Sequence, residues 1–230
     1  MDNTITSTSG GLKQVELALP ASREDLAALE LGNVVYLTGR IFTAREGVYK
    51  RAVEEGHGLP APPAELGSAN FHCSPAAAIA PDGTPTVGAV TATASFRFAK
   101  WLEGWFALSG CNIIIGKGGM SGEIYRSTFV PANAVYLTTV GYGTGALLGR
   151  GIKNVVATHW RDELGLAQAI WVLDVERMGP FLVEGDLTGT SLFERENAKV
   201  AAGIEAAYEG TRPATMQRYG ELDDKTREVI

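Results

Sequence analysis

The chain has 230 residues, 45% of them hydrophobic and 20% charged, and its 20 Lys and Arg against 26 Asp and Glu leave a formal net charge of -6. Such a composition buries a core without disulfide or metal staples, and the acidic balance excludes nonspecific nucleic-acid binding, which needs a basic face. Two cysteines, Cys73 and Cys111, and three histidines, His57, His72 and His159, are scattered with no Cys-x-x-Cys pair; a complete zinc or iron–sulfur site made by this chain alone is therefore not expected.

Residues 1–11 are polar and rich in Ser, Thr and Gly, and read as a flexible arm. They hold no basic stretch leading into an apolar one, and no later run is long enough to cross a bilayer, so a cytoplasmic location without membrane contact is expected. Leu12 to Leu19 alternates weakly, as an edge strand does. Ser22 with Asp25 three positions on, followed by Leu26 and Leu29, predicts a short capped helix. Val34 to Leu37 is a strand run and Arg45 to Glu55 a helix. Prolines and glycines crowd Gly56 to Pro85, which reads as loop with short strands. Phe98, Trp101, Leu102, Trp105 and Phe106 have the spacing of a buried helical face. Strands follow at Ile113 to Ile115, Ala134 to Leu137, Asn154 to Ala157, Ala169 to Val175 and Phe181 to Val183. Cys111 enters the first of these as a buried thiol. Ser191 and Glu194 cap a helix running to about Tyr208, and the tail from Gly210 is polar. Strands mixed with three or four helices in no βαβ rhythm predict an α/β domain with a mixed sheet or small barrel.

Four segments carry polar groups that folding alone does not require. Thr38 to Glu46 ends a strand with Arg45 at a helix start, where a planar guanidinium can grip a carboxylate through two hydrogen bonds; a surface ion pair is the alternative. Thr93, Ser95 and Arg97 stand where small hydroxyl residues run into an apolar helix. Thr93 or Ser95 can cap that helix, and a cation in its first turn opposes the helix dipole unless an anion is near; an ordinary cap with an exposed arginine is the alternative. Lys117 lies among the glycines of Gly116 to Gly119 at a strand end, without the spacing of a phosphate loop. Gly141 to Gly145 is a glycine-rich turn that lacks the dinucleotide fingerprint.

In order and spacing these segments resemble the β component of iron–sulfur hydro-lyases of the class I fumarase and L(+)-tartrate dehydratase family. Leu37 to Glu46 is similar to the family's strand and "TARD" segment, Thr93 to Phe98 to its "TTSxRMD" signature, Ile115 to Gly118 to its "KGN" turn, and Asp162 to Trp171 to its "PELGMEAIW" segment. The resemblance covers about Leu12 to Phe193. It implies a swivelling β/β/α domain with flanking helices over 12–209, between the arm at 1–11 and the tail at 210–230.

The same resemblance implies a division of labour. A separate α subunit would hold a [4Fe–4S] cluster through three cysteines, with one iron open as a Lewis acid to a 2-hydroxy diacid, and this chain would bind no metal. By motif position Arg45, Arg97 and Lys117 would hold the carboxylates of a small dicarboxylate with Ser95 beside them. Thr93 would move the C3 proton, helped by the charge of Arg97 or Lys117, the latter a catalytic candidate itself. A homo- or hetero-oligomer is expected.

The chain departs from the family at Glu46, Tyr49, Ala94, Ala99 and Gly119, where Asp, His, Thr, Asp and Asn are usual. The apolar replacements and Tyr49 predict a bulkier or less polar substrate. A non-catalytic carboxylate-binding or assembly module of the same fold is the second reading. A freestanding hydrolase or isomerase using Lys117 is the third.

Overall fold

The computed structural model describes residues 4–7, 12–141 and 143–209. Thr4–Ser7 (β1), inside the stretch expected to be an arm, pairs antiparallel with Lys13–Ala18 (β2), which is therefore no edge strand. Arg23–Ala27 (α1) starts on the expected box: the Ser22 hydroxyl accepts from the Asp25 amide at 3.1 Å, and the Asp25 carboxylate accepts from the Ser22 amide at 2.8 Å. Val34–Thr43 (β3) runs well past the predicted run because β2 and a later strand pair with it on both sides. Glu46–Tyr49 (α2) widens into a π-helical turn at Lys50–Glu54.

Pro63–Leu66 (α3) and Ala69–Phe71 (β4) precede a hairpin, Cys73–Ile79 (β5) and Pro85–Ala92 (β6), within the proline-rich region. A 3₁₀ turn at Phe96–Phe98 opens Ala99–Ser109 (α4), which leads to Ile113–Gly116 (β7). Gly122–Ile124 (α5) continues as a π turn over Tyr125–Phe129 to Val135–Thr139 (β8). Gly145–Arg150 (α6), Ile152–His159 (β9), Arg161–Leu164 (α7) and Ile170–Gly185 (β10) follow, and Leu192–Tyr208 (α8) ends the described chain. The two strand runs expected at 169–175 and 181–183 are one strand, bent by irregularities between Val175 and Phe181. The predicted tail from Gly210 lies outside the described residues. Contacts divide the chain into one compact unit through Arg195 and a second from Glu196; in the second, Lys199 and Glu196 form an ion pair at 2.9 Å.

The sheet order is β1-β2-β3-β4-β7-β8-β10-β9, and β10 pairs with β3 as well as β8. Five strands, β3, β4, β7, β8 and β10, thus close a small barrel in a mixed α/β fold with flanking helices. The four from β3 to β8 are parallel. Successive side chains on a strand face opposite ways, so alternate residues serve two cores. Val35, Leu37, Ile41, Phe71, Ile113, Ile115, Val135 and Leu137 fill one, joined by Val90 of the hairpin and Leu148 of α6. Phe42, Ile114 and Tyr136 fill the other with Trp101, Leu102, Trp105 and Phe106 of α4. Each buried aliphatic or aromatic side chain contributes about 1.5–3 kcal/mol. Among the described residues no helix is long and apolar enough to cross a membrane.

Candidate active site

Three adjacent parallel strands end side by side, and the polar segments follow those ends. Thr43 of β3 lies opposite Phe71 of β4, and Phe71 opposite Ile115 of β7. Two residues further on come Arg45, Cys73 and Lys117. Burial pushes the Cys73 thiol far up, and the nearby Arg45 charge pulls against it. Thr93 arrives from the end of β6. Its amide donates to the His72 carbonyl at 2.6 Å, and its carbonyl accepts from the Lys117 amide at 3.2 Å. The Ser95 amide donates to the Lys117 carbonyl at 3.2 Å, and Ala94 bridges Lys117 in parallel. The structure therefore joins the Thr93 and Lys117 segments directly, at the carboxyl ends of the parallel barrel strands.

Arg45 caps the start of α2 with its backbone in the extended region. Its Nη1 donates to the Ala167 carbonyl at 3.3 Å, whereas Nε is buried with no hydrogen-bond partner. Among the described residues no carboxylate pairs with it, so the surface ion pair open to it on spacing is not formed. A buried guanidinium nitrogen without a partner is costly, and an arriving carboxylate would satisfy it. Arg97 is exposed in the 3₁₀ turn, with its guanidinium carbon 5.7 Å from the centroid of the Phe98 ring. Thr93 is nearly enclosed.

Ser95 is fully enclosed, so its hydroxyl serves neighbours within the fold. The Tyr136 hydroxyl donates to Ser95 Oγ at 2.7 Å, Ser95 Oγ lies 2.8 Å from His72 Nδ1, and His72 Nε2 lies 2.6 Å from the Tyr49 hydroxyl. Tyr49 donates onward to Asn70 Oδ1 at 3.5 Å. These directions are mutually consistent when Ser95 donates to Nδ1 and the imidazole carries its proton on Nε2. Burial lowers the His72 pKa to about 3, which keeps the ring neutral. A β-carbon on Gly116 would run into Ser95 Oγ and stand 2.6 Å from the Tyr136 hydroxyl, so the glycine before Lys117 is what lets this chain of bonds close.

Tyr49 is fully buried, stacked on Phe98 and Trp101 and tilted against Trp105. The expectation that it marks a bulkier substrate is corrected: its ring belongs to the core and its hydroxyl to His72. Neither His72 nor Tyr136 carried a local signal in the sequence, because their partners lie 23 and 41 positions away.

Asp162 to Trp171 supports Arg45 from above. The Ala167 carbonyl accepts from Arg45 and, at 3.3 Å, from Ser74 Oγ. Gln168 Oε1 accepts from the Gly47 amide at 2.8 Å, taking one of the donors left free at the start of α2. Thr43 Oγ1 donates to the Ala169 carbonyl at 3.2 Å and accepts from the Trp171 amide at 3.0 Å.

Beyond Lys117, Gly119 packs on the buried Glu184, whose carboxylate oxygen would stand 2.6 Å from a β-carbon there. Tyr125 donates its hydroxyl to Glu184 and accepts from the Met120 amide at 2.9 Å; Ser191 donates to Glu184 at 2.6 Å. Burial raises the Glu184 pKa to about 7, against the bonds from Ser191 and the Phe193 amide.

Among the described residues no group of three or more His, Cys, Asp or Glu side chains converges as a metal site requires. Cys73 and Cys111 are fully buried in different cores, the Cys111 thiol pushed up to about 12 by burial, so neither fits as a cluster ligand.

Residues 2–196 match the family model described as Fumarase C-terminus. The chain is 34% identical over 180 residues to a Methanocaldococcus jannaschii protein provisionally described as L(+)-tartrate dehydratase subunit beta, covering 78% of this chain and 91% of the relative. It is 30% identical over 186 residues to L(+)-tartrate dehydratase subunit beta of Escherichia coli, with 81% and 89% covered. It is also 27% identical over 190 residues to a Geobacillus stearothermophilus protein provisionally described as class I fumarate hydratase, covering 83% of this chain and 35% of that longer relative.

Proposed function

Since the chain belongs to the fumarase C-terminus family, as a β subunit of the class I fumarase and tartrate dehydratase type, we propose that it grips the carboxylates of a small 2-hydroxy diacid and moves the C3 proton in a reversible dehydration. The observation that carries this reading is Arg45. Its Nε is buried without a partner, no acid among the described residues neutralises it, and it sits on the same strand-end edge as Thr93 and Lys117. Arg45, Arg97 and Lys117 supply three cations for two carboxylates, and Arg45 can bind one through its fork.

Dehydration takes a proton from C3 and the hydroxyl from C2. Thr93 as an alkoxide takes that proton, the C3–H electron pair forms the double bond, and the hydroxide that leaves C2 departs as water with the proton Thr93 gives back. The alkoxide needs a cation close by, and the Lys117 segment is held beside it by the Lys117 amide donating to the Thr93 carbonyl. Ser95 positions rather than binds: with His72 and Tyr136 it fixes the segment between Thr93 and Arg97. The [4Fe–4S] cluster belongs on a partner α subunit, since the cysteines here do not fit it. The family relatives named as β subunits support such a partner.

Anaerobic co-expression with the α subunit of the same family tests the reading. The expected result is a brown complex that interconverts a 2-hydroxy diacid and its alkene. A colourless, inactive homo-oligomer instead supports a binding or assembly module.

A further inference from the structure

Gly145–Arg150 (α6), which opens at the end of a glycine-rich stretch, packs against the hairpin beside Lys117. A β-carbon on Gly145 would stand 2.9 Å from the Val90 carbonyl oxygen, and one on Gly149 would run into the Gly88 carbonyl. The α6 helix is thus pressed onto β6, and it leaves a hollow of about 70 Å³ against the ends of β7 and β8. Its polar lining is Thr91, Lys117, Thr139 and Thr144, over an apolar floor that includes Val90 and Leu148. Gly116 of β7 lies opposite Thr138 of β8, so the next residues, Lys117 and Thr139, come side by side into the hollow.

We propose that this hollow is the subsite for one carboxylate end of the substrate, with Thr139 hydrogen-bonding beside the Lys117 ammonium. The inference rests on the reading of the chain as a dicarboxylate hydro-lyase subunit and goes beyond it by naming the group that recognises the second carboxylate. Thr144 donates its hydroxyl to the Gly141 carbonyl at 3.2 Å and so holds the turn; Thr139 makes no hydrogen bond through its hydroxyl to another described residue. In a chain of net charge -6, none of the described residues lining the hollow is acidic. Whole small-molecule sites run to roughly 300–1,000 Å³ and one water takes about 10–15 Å³ of such volume, so this space suits one end of a ligand rather than all of it. Through the Lys117 amide it adjoins Thr93, where the proton is moved.

The test compares succinate with butyrate, four-carbon ligands that differ in one carboxylate and carry no hydroxyl to eliminate. Their dissociation constants are measured by calorimetry on the assembled α–β complex, for the parent and for Thr139→Val, Thr139→Ser and Lys117→Ala. Thr139→Val is expected to weaken succinate about tenfold, the worth of one hydrogen bond to a charged group, and to leave butyrate unchanged. Thr139→Ser is expected to restore succinate binding. Succinate affinity that falls in Lys117→Ala but not in Thr139→Val overturns the subsite and leaves the dicarboxylate reading standing. Equal losses of succinate and butyrate in Thr139→Val also overturn it, as a general disturbance. Succinate binding no tighter than butyrate in the parent overturns both.

Discussion

Glu184 and His72 are buried titratable groups with opposite effects on how stability depends on pH. Glu184 has its pKa raised from 4.5 to about 7, so the folded chain holds that proton more tightly than the unfolded chain does. Its contribution is fully present below pH 4.5 and is lost as pH rises through about 7. His72, lowered from 6.5 to about 3, binds its proton less tightly when folded, so its contribution is present above pH 6.5 and is lost as pH falls towards 3. Each group alters stability by about 1.4 kcal/mol per pH unit, and between pH 4.5 and 6.5 the two slopes cancel. Glu184→Gln removes one slope and keeps the hydrogen-bonding shape. In that variant the His72 slope is no longer offset by Glu184, and stability falls more steeply than in the parent as pH drops from 6.5 to 4.5. The difference between variant and parent isolates Glu184 from every other carboxylate. It rises by a few kcal/mol, on the order of 3, from pH 4.5 to 7 and is flat above. Urea unfolding of the purified chain, with midpoint and slope measured every half pH unit, reads both quantities. A difference that stays constant across that range refutes the claim that burial holds Glu184 protonated near neutrality.

Ser95→Ala leaves His72 Nδ1 and the Tyr136 hydroxyl without their partner, two buried groups at about 1–3 kcal/mol each, and urea unfolding should show a loss of about 2–6 kcal/mol. Gly116→Ala drives a methyl into Ser95 and Tyr136 and is expected to cost about 1–3 kcal/mol by overpacking, read by the same assay. Arg45→Lys keeps the charge but loses the fork, so the KM of the assembled enzyme for its diacid should rise about tenfold with the melting temperature little changed.

Much of the fold was legible because its signals are local. The Ser22 and Asp25 box, the apolar face of α4 and the β-branched run entering β7 each declare an element within a few residues. The hairpin hid among prolines: Pro85 is tolerated as the first residue of β6, Pro81 sits in the turn, and Pro75 lies at a register shift of β5. Ile170–Gly185 read as two runs because Glu176, Arg177 and the Gly179-Pro180 step interrupt the apolar pattern, and only pairing to β3 and β8 holds it as one strand. At the site, Arg45, Thr93, Arg97 and Lys117 stood out as charges and hydroxyls beside turns. The bond chain from Tyr136 to Asn70 did not, since it joins residues brought together only by barrel closure. Tyr49 shows the consequence: it looked like a substrate-side change, and its meaning lay in packing.

The central claim is that Thr93 moves the proton while the three cations hold the diacid. Thr93→Val, nearly the same in shape, tests it most directly in the assembled α–β enzyme, with turnover and diacid affinity measured on the same preparation. The account expects kcat to fall by at least about a hundredfold, the lower range for loss of a general base, with diacid affinity within a few-fold of the parent. Turnover kept near the parent level with cluster and partner in place would contradict it.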